Sequence, residues 1–96
     1  MPKLSDADID RALAGLDGWA QNGPQIEREF QFRDFVDALG FIAQVGVLAE
    51  RADHHPTITN TYNRVQIVLW SHDAGGVTER DIALASEITE RATVSS

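Results

Sequence analysis

The spacing of apolar residues alternates between a helical and a strand period along the chain, and these changes predict its elements. Ser5 and Asp8 have capping-box-like spacing, and Ile9, Leu13 and Leu16 follow at helical intervals. A first helix therefore opens at Ser5 and ends at Asp17-Gly18, where the glycine is free to turn left-handed. Trp19 and Ala20 start a short strand, closed by an Asn22-Gly23-Pro24 turn. Over residues 26–32 the pattern alternates, with Ile26, Phe30 and Phe32 on one face and Glu27, Glu29 and Gln31 on the other. Arg28 interrupts the apolar face, which places it near a sheet rim with its head within reach of water.

Asp34 caps a long second helix with Phe35, Leu39, Ile42, Val45, Leu48, Ala49 and Ala52 as its buried stripe. Gly40 and Gly46 each cost that helix about 1 kcal/mol relative to Ala; close approach to a sheet would explain them. Pro56 keeps the residue before it out of the α region, so His55 is extended and the helix stops near Asp53 or His54. Residues 57–62 and 64–71 read as strands, the second alternating Val65, Ile67 and Leu69 with Arg64, Gln66 and Val68. After a loop at Asp73-Ala74-Gly75-Gly76, Thr78 and Asp81 form a second capping-box pattern. It opens a last helix through Ile82, Ala85, Ile88 and Ala92. The order α-β-β-α-β-β-α predicts an α+β fold, an antiparallel sheet covered on one face by helices.

Ninety-six residues make one small domain, residues 1–96. An apolar share of 43% is ordinary for a chain with a packed core. A domain this size buries roughly 60–65% of its surface, so oligomerisation would help it. The absence of cysteine removes disulfides and thiolate metal sites. The charged first ten residues do not read as a secretory signal, and no segment reaches the ~20 apolar residues of a membrane span. The expected location is the cytoplasm. A net charge of −7, with the basic residues scattered singly, argues against nucleic acid and points to a small molecule or another protein as partner.

The chemistry concentrates at His54, His55 and His72. The end of the second helix places the first two, and the exit of the last strand places the third. Glu50, Asp53, Asp73 and Asp81 lie around them in sequence. Glu50 precedes His54 by four residues, so on a continuing helix their side chains share a face. A neighbouring carboxylate and a helix C-terminus both favour an imidazolium, the form a general acid needs to protonate a departing hydroxyl.

Glu50, His54-His55-Pro56, Tyr62, His72 and Asp81 form a spaced pattern over 32 residues. With the runs FRDFVDALGFIAQVGVLAE and YNRVQIVLWSHDAGGVTERDIALA, it resembles the pterin-4a-carbinolamine dehydratases from about residue 30 to 92. The resemblance implies a four-stranded antiparallel sheet with three helices on one face, and assembly into homodimers or homotetramers. It implies dehydration of 4a-hydroxytetrahydropterin to the quinonoid dihydropterin, which recycles the cofactor of aromatic amino acid hydroxylases. His54 would be the principal acid/base. His55 and His72 would contact the pterin and assist proton transfer, Asp81 would complete the catalytic set, and Glu50 would orient the histidines or the ring. Asp53, Trp70 and Ser71 are expected to join Glu50 in binding substrate. Trp70 stands where such chains often carry a small residue. No metal, redox cofactor or covalent nucleophile is required.

Plainer readings stand beside these. Asp81 fits a helix cap whatever the function, and Glu50 fits a solvated helix position beside Arg51. Tyr62 and Trp70 fit core or interface packing, and Gly75-Gly76 fits an ordinary loop. Three histidines and a carboxylate could hold zinc, although adjacent His54 and His55 diverge if one is helical and the other extended. The same fold could also serve as a dimerisation or assembly partner for another enzyme; a pure scaffold has no need of the histidine set.

Overall fold

The computed structural model describes residues 1–95. These residues form helices α1 (Asp6–Leu13), α2 (Phe35–Ala52) and α3 (Glu79–Ser95), and strands β1 (Ala20–Asn22), β2 (Gln25–Gln31), β3 (Thr57–Thr61) and β4 (Arg64–Leu69). The expected α+β order holds. The strands lie in the order β1-β2-β4-β3, each neighbour antiparallel. Helix α2 carries the chain from β2 across to β3, and β4 then inserts between them.

Register follows from the alternation. Ile26 faces Leu69, Phe30 faces Val65 and Ile58 faces Ile67 across the ladders. These residues form the inner face of the sheet. The helices cover it with Ile9, Ala38, Phe41, Val45, Leu48, Leu84, Ala85 and Ile88. Phe41 is central: its ring centroid lies 4.9 Å from Phe30 and 4.8 Å from Phe32. The outer face carries Glu27, Glu29, Thr59 and Gln66, so burial is one-sided.

Three expectations about these elements change. Helix α1 ends at Leu13 rather than Asp17, and short-range bonds from Gly15 N–H to Ala12 O and Leu16 N–H to Leu13 O tighten the exit. The turn finishes at Gly18, whose φ of 87° needs glycine. Arg28 is half-buried on the helix side, just past the end of the β1 ladder, with its guanidinium carbon 4.2 Å from the centre of the Phe30 ring. Burial pulls its pKa below the ordinary arginine value, and the charge of Asp17 opposes that.

The buried stripe of α2 is Ala38, Phe41, Val45, Leu48 and Ala49. Phe35 and Leu39 remain 44% and 45% exposed, and Ala52 is exposed. The helix is apolar on two faces, and periodicity alone did not separate them. Nor do Gly40 and Gly46 approach the sheet: a Cβ at either would meet nothing within 4 Å. Among the described residues no helix is long and apolar enough to cross a membrane.

Candidate active site

The site begins where α2 stops. Asp53 takes a left-handed conformation, φ 49°, and its N–H bonds to Glu50 O while His54 N–H reaches Ala49 O at 3.1 Å. This is a Schellman-type helix end with aspartate in the place glycine usually fills, a conformation that costs a non-glycine residue of order 1 kcal/mol. Arg80, in the first turn of α3, donates from Nη2 to Asp53 O at 2.8 Å and holds the bend from the other side.

The bend separates the two histidines. His54 turns inward, its Nε2 2.5 Å from Asp81 Oδ1, with only 10% of the side chain exposed. His55 stays at the surface, its Nε2 2.5 Å from Glu50 Oε1. The expected partnership of Glu50 with His54 is therefore replaced. The helix ends before His54 can occupy the next turn of the Glu50 face, and the extended His55 folds back onto that carboxylate instead.

Asp81 is fully buried, and its carboxylate is wholly engaged. Oδ1 meets His54, while Oδ2 accepts from Ser71 Oγ and from Thr78 N–H, both at 2.8 Å. The bond from Thr78 N–H is the expected capping box of α3, and the same carboxylate also meets His54. One oxygen closes the helix and the other holds the imidazole. Ser71 Oγ also lies 2.9 Å from Thr78 Oγ1.

Ser71, expected to bind substrate, is 2% exposed and turns its hydroxyl to Asp81 and Thr78. Its side chain stands behind the site. Side chains alternate where the strand exits, so Trp70 and His72 lie on the opposite side from Ser71. Their rings stack with centroids 3.9 Å apart and planes inclined at 33°. The turn that follows returns to pair Ser71 with Gly76, bringing Thr78 back beside the strand exit. Tyr62, read as core or interface packing, is exposed at the β3–β4 turn with φ 53° and so lies outside the core. Asp53 is exposed at the helix end. Among the described residues no group of three His, Cys, Asp or Glu side chains is arranged to hold a metal ion.

Asp81 thus bridges the helix exit and the strand exit, linking His54 to the residue before His72. Two members of the arrangement escaped the sequence reading. Thr78 was visible only as a cap; its contact with Ser71 depends on the return of the 71–76 turn. Arg80 gave no signal, because its partner is a backbone carbonyl.

The family model described as pterin 4 alpha carbinolamine dehydratase matches residues 2–91. The chain belongs to this family. A relative from Koribacter versatilis, named as a pterin-4-alpha-carbinolamine dehydratase, is 48% identical over 91% of this chain and 93% of its own length. One from Nitrobacter winogradskyi with the same name is 52% identical over 86% of this chain and 84% of its own. The crystal structure of a transcriptional coactivator/pterin dehydratase from Brucella melitensis superimposes with a TM-score of 0.90 at 42% identity. That match covers 94% of this chain and 98% of the other. The fold also recurs, at a TM-score of 0.68 and 23% identity, in a pterin dehydratase-like protein described as a RuBisCO assembly factor in the alpha-carboxysome. That match covers 78% of this chain and 89% of the other.

Proposed function

We propose that the protein dehydrates a 4a-hydroxytetrahydropterin to the quinonoid dihydropterin in the cytoplasm, as a step in recycling the cofactor of an aromatic amino acid hydroxylase. The observation that carries this reading is the buried His54–Asp81 pair in a chain of this family. A carbinolamine bears its hydroxyl on the carbon next to a ring N–H. Dehydration breaks the C–O bond, makes the neighbouring C–N bond double, and moves one proton from the ring nitrogen and one to the leaving oxygen. Water leaves, and atoms and charge balance without an oxidant or a metal.

His54 is the principal acid/base in this account. Asp81 fixes its ring and stabilises the imidazolium formed when it takes a proton. His55, oriented by Glu50, and His72, stacked on Trp70, contact the pterin and give the second proton to the departing hydroxyl. Each such transfer is worth about 10²–10⁴-fold. Asp53 and Trp70 line the pterin side of the site. The substrate contact expected of Ser71 moves to its neighbours, because its hydroxyl is taken.

The outward face of α2 leaves Val36 73% and Val47 60% exposed, with Leu39, Gly40 and Ala43 along the same side. A second copy covers this stripe in a homodimer or homotetramer. Light scattering tests it, and a monomer at working concentration would overturn it. A role in assembling another protein is the rival reading. The histidine–carboxylate pairs favour the enzyme, since a scaffold gains nothing from a buried imidazole aimed by a carboxylate.

Stopped-flow ultraviolet spectroscopy of carbinolamine decay tests the activity. Pure protein should accelerate the decay well above buffer; an unchanged rate would refute the proposal.

A further inference from the structure

A proton count around Asp81 assigns roles to two hydroxyl groups and one ring nitrogen. Ser71 has a single hydroxyl proton, and it donates that proton to Asp81 Oδ2. In its 2.9 Å contact with Thr78, Ser71 Oγ must therefore accept, so Thr78 Oγ1–H is the donor. Thr78 Oγ1 in turn accepts from Arg80 N–H at 3.3 Å. The bonds run in one direction: Arg80 N–H to Thr78, Thr78 to Ser71, Ser71 to Asp81. Chains aligned in this way polarise one another toward the terminal acceptor. Thr78 N–H adds a second donor to the same Oδ2.

With Oδ2 saturated by donors and Oδ1 facing the ring, Asp81 acts only as an acceptor. His54 Nε2 must then carry the proton between them. The other nitrogen, Nδ1, has no hydrogen-bond partner among the described residues, where no polar side-chain atom is both buried and unpartnered. Nδ1 is thus the nitrogen that reaches the surface with its lone pair free.

We propose that Ser71 and Thr78 are positioning residues that hold the Asp81 carboxylate so that His54 is fixed as its Nε2–H tautomer and presents Nδ1 to the substrate. The proposal deepens the dehydratase reading and rests on it for its kinetic consequence alone. In that reaction Nδ1 takes the ring N–H proton. The Nε2–H stays with Asp81 throughout, which keeps the basic nitrogen aimed at one place.

The test pairs two measurements on the intact chain. Nitrogen-15 correlation spectra of the free protein, taken above the titration of imidazole, report which nitrogen of His54 is protonated and how strongly its N–H is hydrogen-bonded. Wild type should show Nε2–H only, with a downfield proton protected from exchange with water. In Ser71→Ala that signal should move upfield and exchange faster, and kcat should fall about ten- to a hundredfold at nearly constant KM. That is the factor expected for one hydrogen bond to a charged group. Thr78→Val should act in the same direction, and Thr78→Ser, which keeps the hydroxyl, should restore both readings. Thr78→Val also loses a helix cap, so Ser71→Ala keeps the test sound if Thr78→Val fails to fold. Protonation at Nδ1 in the wild type overturns the proposal, and so does Ser71→Ala with either reading unchanged. If wild type shows the predicted tautomer but no turnover, the assignment of function fails while the tautomer and the Asp81 geometry stand.

Discussion

Replacing Asp81 with asparagine separates the charge of the buried carboxylate from its shape. In the native site three groups lie against it, His54 Nε2 at 2.5 Å and Ser71 Oγ and Thr78 N at 2.8 Å. Hydrogen bonds to a charged group contribute about 1.5–3 kcal/mol net, and neutral ones about 0.5–1.5. Converting all three to neutral bonds removes about 3 kcal/mol, part of which is offset because an amide costs less to bury than an ion. A net loss of about 1–3 kcal/mol lies within the 5–15 kcal/mol typical of a domain, so Asp81→Asn should fold. Its chemistry should fail all the same. The asparagine oxygen serves Ser71 and Thr78, which leaves the NH2 facing His54. That group donates to Nε2 and drives the ring proton to Nδ1. The nitrogen meant to accept a proton then carries one, and the rate should drop about 10²–10⁴-fold. Asp81→Ala instead strands three donors, those of Ser71 and Thr78 closed to solvent, at about 1–3 kcal/mol each, and should destabilise the chain well beyond Asp81→Asn. Urea titration followed by circular dichroism measures the stabilities, and stopped-flow decay measures the rates. A near-native rate for Asp81→Asn would refute the charge argument; native stability for Asp81→Ala would refute the buried network.

Other substitutions test the surroundings. Gly18→Ala forces a Cβ to within 2.7 Å of Arg28 Nε at a φ of 87°, and should cost about 1–3 kcal/mol; an unchanged urea midpoint would contradict the packing of Arg28. Phe41→Ala empties the centre of the core and should cost about 3–5 kcal/mol in the same titration, with a smaller loss showing that the rings around it collapse into the gap. Glu50→Gln breaks an exposed pair with His55, so stability should hold within about 1 kcal/mol. Its turnover should fall less than that of Asp81→Asn, and the reverse order would make His55 the principal histidine.

Strands β2 and β4 were legible because each has one dry face and one wet face, so alternation shows which residues share the core side. Helix α2 was harder. It is apolar on two sides, and the stripe expected from Phe35 and Leu39 mixed the core face with the outward one; only the position of the sheet tells Phe41 from Leu39. Arg28 was legible as a break in the apolar face near an open sheet edge, but a single charge says nothing of the Phe30 ring and the Gly18 gap that receive it. At the site, Pro56 correctly marked the helix end, but the left-handed Asp53 decides which histidine turns inward. Helical spacing therefore pointed Glu50 at His54 when it meets His55. Asp81 was legible as a cap, while its contacts with His54 and Ser71, and the Ser71–Thr78 contact beside them, depend on a turn whose path no local pattern shows.

The central claim is that His54, aimed by Asp81, moves a proton of the carbinolamine. Single-turnover decay with His54→Ala, beside a circular dichroism spectrum matching the native chain, tests it most directly. A loss of about a hundredfold or more with the fold intact is the predicted result. A folded His54→Ala protein that dehydrates the substrate at the native rate would contradict it.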